Sequence, residues 1–453
     1  MSLAFDRTIS RVAPKIASGA LKAERLTEEC LDTIAAANGR LNAFITVRAD
    51  EALAAAREAD REIAAGRYRG PLHGIPISLK DLIDQAGVPT TAASRSREHV
   101  VAARDAVVTA NLRDAGAIFV GKTNLHEFAF GTTNEDSGWG PARNPFDETR
   151  SPGGSSGGSA ASVRAGMCLG TVGTDTGGSI RIPSACCGLV GLKPTWGEIS
   201  AAGVVPLSRQ LDHVGPLARS VSDAWLMYEV MRGGSRLPGE RLEGLPVKGR
   251  TLGVPGGYFF ERMDADVERV VREAIDRLAR AGMAIREVTI PHARDMAPVY
   301  LHLVIADGGA YHATALDRNP GGYTDNVRLR LEMGRYILAE DYVRAMHGRA
   351  VIAAEIQAAL EGVDALVLPS LAIPAPPIGA ATVPVQGGEE PVRNVMLKLT
   401  QPFNLSKHPA LSLPCGTTPA GLPVGLQLAG RRGQTHDLLR LALTVEDLLG
   451  VTG

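Results

Sequence analysis

The chain has 453 residues, of which 45% are hydrophobic, 21% charged and 4% aromatic, and its formal net charge is −1. This composition is typical of a soluble globular protein that can bury a large core. The near-zero net charge argues against a polyanionic partner, and the few aromatic residues argue against base stacking with single-stranded nucleic acid. We therefore expect no direct binding of nucleic acid.

The cysteines argue against both a disulfide scaffold and a zinc ribbon. They are odd in number, no C-x-x-C motif occurs, and buried free thiols are the expected state of Cys30, Cys168, Cys186, Cys187 and Cys415. Residues 1–7 lack the basic and apolar regions of a secretion signal, and no stretch is long and apolar enough to span a membrane. These observations predict a cytoplasmic protein with no membrane-embedded part. Metal-site motifs are absent as well, so we expect no bound metal.

Helical patterns dominate the first part of the chain, over residues 12–65, with Thr27 as a candidate helix N-cap. Short apolar runs then alternate with helical stretches. The patterns predict a strand over residues 75–82, a helix over 106–115 and a strand over 117–120. This alternation predicts an α/β layer fold.

The second half of the chain continues the alternation. The patterns predict strands over residues 251–255, 364–369, 411–414 and 424–428, and helices over 267–281 and 328–361. A Pro-rich loop is expected to follow the strand over 364–369 and to reach about residue 391. Because no composition break is sharp, we expect one large domain covering residues 1–453.

Two Gly/Ser-rich segments, residues 151–159 and 173–181, are the most informative part of the sequence. Each places a serine hydroxyl among glycines, where backbone N–H groups can crowd around a ligand. A flexible linker would be flanked by polar low-complexity sequence, but apolar residues follow each segment directly. The segments also carry Asp175 and Arg181 at defined positions, which a linker does not explain.

Two other motifs match in their residue pattern but lack the structural context that their function requires. Residues 116–123 match a P-loop pattern, but the four middle residues are Ala, Ile, Phe and Val, which favour a buried strand over a phosphate-binding loop. Residues 153–157 match the G-x-S-x-G elbow of α/β-hydrolases, which requires a strand immediately before the serine. Loop-type sequence precedes this serine, and no histidine lies in a recognisable acid/base context. The elbow is kept as the alternative interpretation.

Lys80 lies near the end of the strand predicted over residues 75–82. The aliphatic residues Ile75, Ile77 and Leu79 alternate with it, so Lys80 points away from the aliphatic side of the strand. That orientation is compatible with a solvated surface lysine. It is equally compatible with a lysine directed into a site lined by the Gly/Ser segments, and the pattern alone leaves both interpretations open.

The segments around Lys80, Ser155 and Ser179 together resemble the amidase signature family, because three motifs of that family occur in order. The resemblance covers a signature core of about residues 72–194, with weaker similarity near the C-terminus. It implies a single large α/β/α domain whose central twisted mixed sheet is covered by helices. It also implies a variable region, about residues 258–349, that shapes substrate choice.

The resemblance implies a Ser–cis-Ser–Lys catalytic triad. Ser179 is then the nucleophile, Ser155 a bridging serine with an unusual cis peptide bond, and Lys80 the base. Ser156 is expected to orient the bridging serine. A lysine accepts a proton only when neutral, so its pKa must fall by roughly 3 units from about 10.4, which burial can achieve.

Thr176, Gly177 and Gly178 are expected to supply an oxyanion hole, because glycines let successive N–H groups converge on one oxygen. Asp175 and Arg181 are expected to lie next to the reacting groups and support them. The implied reaction is acyl transfer without a cofactor: a small-molecule amide is attacked, ammonia or an amine leaves, and water hydrolyses the acyl-enzyme. A homodimer or a complex with a small accessory subunit is compatible with the sequence.

Residues 131–135, 400–405 and 422–427 also resemble the glutamine-hydrolysing A subunit of the tRNA-dependent amidotransferase, which is the alternative function. That subunit needs an acidic residue just before the Thr400 segment to hold the glutamine amino group, and Leu397 aligns there. The leucine favours a free-standing amidohydrolase that acts on small carboxamides or on urea-like compounds such as a biuret derivative.

Substrate choice is assigned to the variable region and to the Pro-rich loop near Pro374. Four polar residues of the variable region are candidates for the substrate pocket: Asp307, Tyr311, His312 and Arg335. Ordinary surface or helix-packing roles explain each of them equally well.

Overall fold

An eleven-stranded mixed β-sheet forms the centre of the structure, a computed structural model that describes residues 7–234 and 240–450. The sequence-based prediction for the N-terminus, that no secretion signal is present, concerns mainly residues 1–6 and lies outside the described residues. The predicted α/β fold with a central mixed sheet covered by helices is confirmed.

The described residues form fourteen α-helices: α1 (Ile9–Ala17), α2 (Ala23–Leu41), α3 (Ala49–Ala64), α4 (Val107–Asp114), α5 (Gly157–Arg164), α6 (Arg181–Cys187), α7 (Val221–Met231), α8 (Ala265–Arg280), α9 (Met296–Arg318), α10 (Asp325–Met333), α11 (Ala339–Ala359), α12 (Val392–Leu397), α13 (Pro402–Leu405) and α14 (Thr435–Leu449). The strands in the same residues are β1 (Phe44–Val47), β2 (Pro76–Lys80), β3 (Ile118–Thr123), β4 (Gly170–Asp175), β5 (Val190–Lys193), β6 (His213–Ala218), β7 (Thr251–Pro255), β8 (Ala284–Val288), β9 (Ala365–Pro369), β10 (Thr382–Val385), β11 (Gly388–Pro391), β12 (Ala410–Thr417) and β13 (Pro423–Ala429).

The strand order of the sheet is β1-β3-β2-β4-β6-β5-β12-β13-β9-β7-β8. Strands β3, β2 and β4 are parallel, and so are β9, β7 and β8, whereas the strands between these groups pair antiparallel. Both faces of the sheet are covered. On β3, Phe119 belongs to one buried apolar cluster while Ile118 and Val120 belong to another, as expected for residues that alternate between faces.

Two details of the N-terminal region differ from the prediction. Residues 44–47, inside the stretch predicted as helical, form β1, which pairs with the edge of β3. Thr27 is not an N-cap, because it is buried inside α2. The cap comes from a distant residue instead: the Asp60 carboxylate accepts hydrogen bonds from the N–H groups of Ala23 and Glu24 at 2.9 and 3.1 Å.

Two details of the C-terminal half also differ. The long helix predicted over residues 328–361 is broken between α10 and α11, where Gly334 passes so close to α9 that a Cβ there would lie 2.1 Å from the carbonyl oxygen of Ile305. The Pro-rich loop contains a hairpin of β10 and β11, with Gly387 and Gly388 at positive φ in its turn. Proline and charged residues hide the alternating pattern of these two short strands.

The sheet brings the three motif segments to one place. Strands β2 and β4 are parallel neighbours, with Leu79 opposite Val172, so Lys80 and Asp175 end their strands at the same edge. Each Gly/Ser segment then leads into a short helix at this edge, the first into α5 and the second into α6. Backbone topology alone therefore converges Lys80, Ser155 and Ser179.

None of the helices formed by residues 7–234 and 240–450 combines the length and the apolar character that crossing a membrane requires.

Candidate active site

Lys80 is the last residue of β2, and its side chain is completely buried. Its Nζ donates hydrogen bonds to Ser155 Oγ at 2.7 Å and to Thr174 Oγ1 at 2.9 Å. Burial lowers the pKa of Lys80 from its ordinary value to about 7, although the carboxylates of Asp175 and Asp212 oppose the change. Of the two interpretations that the sequence left open, the solvated surface lysine is therefore excluded.

The first Gly/Ser segment carries Ser155 and Ser156 into the same pocket. The peptide bond between Gly154 and Ser155 is cis. Ser156 is the residue before α5; its N–H donates to the carbonyl oxygen of Ser179 at 3.3 Å, and its hydroxyl donates to the carbonyl oxygen of Thr174 at 3.3 Å. Ser156 thus ties the first Gly/Ser segment to the second one and to β4.

The turn between β4 and α6 presents backbone donors that are not used elsewhere. Within the described chain, the N–H groups of residues 176–179 donate no hydrogen bond, and neither does the Ser179 hydroxyl. Gly178 has a φ of +148°, and a Cβ there would lie 2.2 Å from Thr400 Oγ1, so the turn requires glycine. The arrangement places available N–H groups next to an available hydroxyl that is 5% exposed.

Arg181 and Asp175 form a fully buried ion pair at the start of α6. The guanidinium Nε and Nη2 contact the two carboxylate oxygens at 3.0 and 2.9 Å. Its remaining hydrogen bonds go to Asn404 Oδ1 and Gln427 Oε1, both at 2.7 Å, and to the Thr400 carbonyl at 2.8 Å. All five N–H donors of the guanidinium are therefore satisfied. Burial alone would raise the pKa of Asp175, but Arg181 holds it well below the usual range.

These contacts explain why segments that resemble the family recur near the C-terminus. Asn404 lies in the segment 400–405, and Gln427 lies in the segment 422–427. Asn404 also donates from Nδ2 to the Asp175 carboxylate at 2.7 Å, and Thr400 Oγ1 donates to the Gly177 carbonyl at 2.6 Å. The C-terminal segments thus fix the turn that precedes Ser179.

Sequence reasoning missed Asp212 and Thr174. Asp212 lies just before β6 and accepts a hydrogen bond from Thr176 Oγ1 at 2.6 Å, and its carboxylate acts on Lys80. Burial raises the pKa of Asp212 to about 6. No motif surrounds Asp212 in the sequence, so only the three-dimensional structure reveals it. Thr174, the second partner of Lys80, stands inside the segment 173–181 and could have been included from the sequence.

A cavity of about 420 Å³ adjoins the second Gly/Ser segment. Tyr300 and Leu397 form the wall next to Gly177: a Cβ at Gly177 would lie 2.3 Å from the Tyr300 hydroxyl and 2.9 Å from Leu397 Cδ2. Gly177 stands two positions before Ser179, so these two side chains connect the cavity lining with the turn that carries this serine, although residues 176–179 do not themselves line the cavity. Residues of the predicted variable region contribute the part of the lining between Tyr258 and Leu301.

The four polar residues predicted as pocket candidates do not line this cavity: Asp307, Tyr311, His312 and Arg335. Arg335 forms an ion pair at the surface, and Tyr311 is 43% exposed. His312 is buried among aromatic rings, which lowers its pKa to about 4. Asp307 accepts hydrogen bonds from residues of the loop that carries Asp212.

The structure shows why the P-loop pattern and the G-x-S-x-G pattern are chance matches to their motifs. Residues 118–123 of the P-loop pattern form β3, and Lys122 Nζ lies 3.0 Å from the buried Asp81 carboxylate, not in a phosphate-binding loop. The G-x-S-x-G serine, Ser155, follows irregular backbone and not a strand, and its hydroxyl contacts Lys80. Among residues 7–234 and 240–450, no cluster of His, Cys, Asp or Glu has the geometry to hold a metal ion.

Comparison with known proteins gives matches along nearly the whole sequence. Residues 25–439 match the sequence model of the family described as Amidase. The chain is 40% identical over 459 residues to an amidase from Pseudomonas putida, with 98% of this chain and 97% of that relative covered. It is 38% identical over 476 residues to the A subunit of the glutamyl-tRNA(Gln) amidotransferase from Roseiflexus sp. (strain RS-1), with 97% and 96% covered. A crystal structure of an amidase matches with a TM-score of 0.92 and 37% identity, covering 97% of this chain and 99% of that one.

Replacing Arg181 by methionine is expected to lower the free energy of unfolding by about 3–5 kcal/mol, because Asp175 would remain as a buried charge without its counter-ion. Denaturation with guanidinium chloride measures this change. Arg335→Met is the control, since it removes an arginine from an exposed ion pair and should leave the free energy of unfolding nearly unchanged. Equal effects of the two substitutions would contradict the role given to the buried pair.

Proposed function

This chain belongs to the amidase family and is a hydrolase of carbon–nitrogen bonds, and from that premise we propose that Lys80, Ser155 and Ser179 carry out its reaction. The observation that supports this most directly is the buried Lys80, whose pKa is about 7 and whose Nζ bonds to the Ser155 hydroxyl. With this pKa, roughly half of the Lys80 side chains carry no charge at pH 7. A neutral amine in contact with a serine can act as a general base for it.

In the proposed acylation step, Ser179 Oγ attacks the carbonyl carbon of the substrate amide. Its hydroxyl proton passes to Ser155 Oγ, whose own proton passes to Lys80 Nζ. The carbonyl oxygen becomes an oxyanion and accepts hydrogen bonds from the N–H groups of Thr176, Gly177 and Gly178, each worth about 10²–10³ in rate in comparable sites. The carbon–nitrogen bond then breaks, and Ser155 returns the proton to the leaving nitrogen, which departs as ammonia or an amine.

Deacylation uses the same groups in the same order. Water attacks the ester carbon, its proton passes through Ser155 to Lys80, and the bond between the carbon and Ser179 Oγ breaks as the serine regains a proton. The products are a carboxylic acid and the free enzyme, so one water molecule is consumed in each cycle. In the described chain the Ser179 hydroxyl makes no hydrogen bond. It is therefore available to exchange a proton with Ser155 in both steps.

We assign supporting roles to three residues. Asp175 and Arg181 hold the turn of residues 176–178 in place, through the buried pair and its bonds to the C-terminal segments. Ser156 orients the bridging serine by joining the two Gly/Ser segments. These side chains contact the backbone around the reaction centre and take no part in bond making.

We propose that the substrate is a small carboxamide or a urea-like compound, and that glutamine is a poor substrate. Leu397, at the position where the amidotransferase subunit needs an acid, is apolar and contacts the turn at Gly177. The two glutamates in the cavity lining are engaged: Glu261 pairs with Arg294 at 2.6 Å, and Glu390 pairs with Arg262. The α-ammonium group of glutamine therefore finds no unpaired carboxylate in the described lining.

We further propose that the chain works in the reducing cytoplasm, because all five cysteines are buried and unpaired. Its catalytic groups come from one chain, which supports activity without a second subunit. The expectation of a homodimer or of a small accessory subunit stays a prediction.

Ser179→Ala should reduce amide hydrolysis at least about 10³-fold, because the nucleophile is lost. Thermal stability should hardly change, since the hydroxyl has no partner in the described chain. Ser184→Ala is a matched control: it removes another buried serine hydroxyl without a hydrogen bond, on α6, and should leave the rate unchanged. Mass spectrometry should find a fluorophosphonate label on Ser179; a label on Ser155 or Ser156 instead would support the hydrolase-elbow alternative.

The rate should rise with pH through about 7 and level off above it, because only neutral Lys80 can accept a proton. Lys80→Arg should be as inactive as Lys80→Ala, since arginine does not deprotonate. Asp212→Asn should move the rise to lower pH, because the Asp212 carboxylate raises the pKa of Lys80. Asp307→Asn changes a carboxylate that contacts the same loop and should leave the profile in place. The measurement is kcat/KM against pH, and substantial activity in Lys80→Arg would refute the assignment.

The purified chain alone should release ammonia from at least one small carboxamide or urea-like amide faster than from glutamine. A missing charge-assisted hydrogen bond to the ammonium group usually costs about 1.5–3 kcal/mol, or roughly 10- to 100-fold. Ammonia release across a panel of amides, with Ser179→Ala as the blank, measures this preference. If glutamine were the best substrate, and only after a second protein and tRNA were added, the amidotransferase function would be correct instead.

A further inference from the structure

We propose that the cavity beside Gly177 selects amides that carry a free carboxylate, and that Arg393 binds this carboxylate. The inference rests on the proposed function, because it concerns the substrate of the same site. It assigns a substrate class, the monoamides of dicarboxylic acids, and a specificity-determining residue outside the signature core.

Arg393 is a partly buried cation whose charge nothing in the described chain compensates. It stands on α12 and lines the cavity. Its Nε is sealed from solvent without a hydrogen-bond partner, and no carboxylate of the described residues forms an ion pair with it. Its guanidinium carbon lies 5.6 Å from the centre of the Phe130 ring, a contact that satisfies none of its N–H donors. Because arginine does not lose its proton, the site retains an unsatisfied positive charge.

The other two arginines of the cavity differ from Arg393 in this respect. Arg262 and Arg294 pair with Glu390 and Glu261, so their charges are largely balanced. Lys398 bonds to the Glu261 carbonyl oxygen. Four cationic and two anionic side chains thus line the cavity, and the excess charge is positive. An anion gains from this excess, whereas a cation is repelled.

Tyr300 provides a second donor, because it lines the same cavity as Arg393 and also contacts the turn at Gly177. Its hydroxyl makes no hydrogen bond among the described residues and stands next to Gly177. Burial raises the pKa of Tyr300, so the phenol stays protonated and can donate. Arg393 is close enough to act electrostatically on this hydroxyl. A carboxylate between them would receive hydrogen bonds from both, and guanidinium–carboxylate bonds are among the strongest in proteins.

Three amides with the same number of carbon atoms differ in their charged groups, so they test the effect of each charge separately. Glutaramate carries an amide and a carboxylate, pentanamide lacks the carboxylate, and glutamine adds an α-ammonium group to glutaramate. We expect kcat/KM for glutaramate to exceed the values for pentanamide and for glutamine by about 10- to 100-fold, mainly through KM, as expected for a lost charge-assisted bond. Succinamate and adipamate, each with its neutral counterpart butanamide or hexanamide, cover shorter and longer spacings between the two groups.

Arg393→Gln should abolish the preference by raising KM for the carboxylate compound alone and leaving its neutral counterpart unchanged. Arg393→Lys, which keeps the charge without the planar fork, should show an intermediate preference. Arg294→Gln is the matched control, because it removes a paired cation of the same cavity and should retain the preference. Glutarate should inhibit the unmodified enzyme competitively and inhibit Arg393→Gln at least about 10-fold more weakly.

The inference is overturned if no carboxylate compound is preferred over its neutral counterpart, or if Arg393→Gln affects both members of a pair equally. Such results leave the proposed function intact as long as hydrolysis still depends on Ser179. Hydrolysis that persists in Ser179→Ala would overturn the proposed function instead, whereas weaker inhibition by glutarate in Arg393→Gln would still support the carboxylate site.

Discussion

One buried guanidinium joins the second Gly/Ser segment to the C-terminal part of the chain beside the proposed reaction centre. Arg181 has no contact with solvent, and its five donors connect Asp175, at the end of β4, with residues 400–427 of the C-terminal part. A buried arginine is tolerated only when every donor finds an acceptor, so the turn of residues 176–178 depends on the C-terminal segments. The signature core therefore does not form a complete site by itself.

The environment, and not burial alone, distinguishes Lys80 from the other buried lysines. Lys122 faces the Asp81 carboxylate, and Lys193 donates to the carbonyl oxygens of His408 and Pro194. Lys80 instead donates to two hydroxyl groups, of Ser155 and Thr174. A carboxylate stabilises the ammonium form and a carbonyl has no proton to give, whereas a hydroxyl can both accept and release a proton. Of these three lysines, only Lys80 bonds to hydroxyl groups alone, with no carboxylate or carbonyl oxygen among its hydrogen-bond partners.

The sequence predicted those features that local pattern or family motif encodes. The apolar runs of β2 and β3 and the glycines before Ser155 and Ser179 are short-range signals. They led to the observed strands and to segments that lie side by side in the structure. Thr27 shows the limit of such signals, since α2 is capped by Asp60, a residue of another helix. Asp212 and Arg393 show the same limit within the site. Asp212 matters because it acts on Lys80, and Arg393 because no carboxylate of the described residues pairs with it. Such properties depend on residues that are far apart in the sequence, so a short segment of sequence does not reveal them.

The segment that follows the hairpin of β10 and β11 is divided between two tasks. Its first turns, up to Lys398, supply cavity wall, whereas Thr400 and Asn404 are bonded to the Gly177 carbonyl, Asp175 and Arg181. Side chains of α12 can therefore be exchanged during evolution without removing a hydrogen bond from the turn of residues 176–178, the proposed oxyanion site. In the proposed function, a small change at one position, such as a leucine in place of an acid at residue 397, redirects the enzyme to another compound while the chemical step is preserved. Substrate range and catalytic power are inherited through neighbouring but separate residues, which makes this short stretch a natural starting point for engineering new amidases.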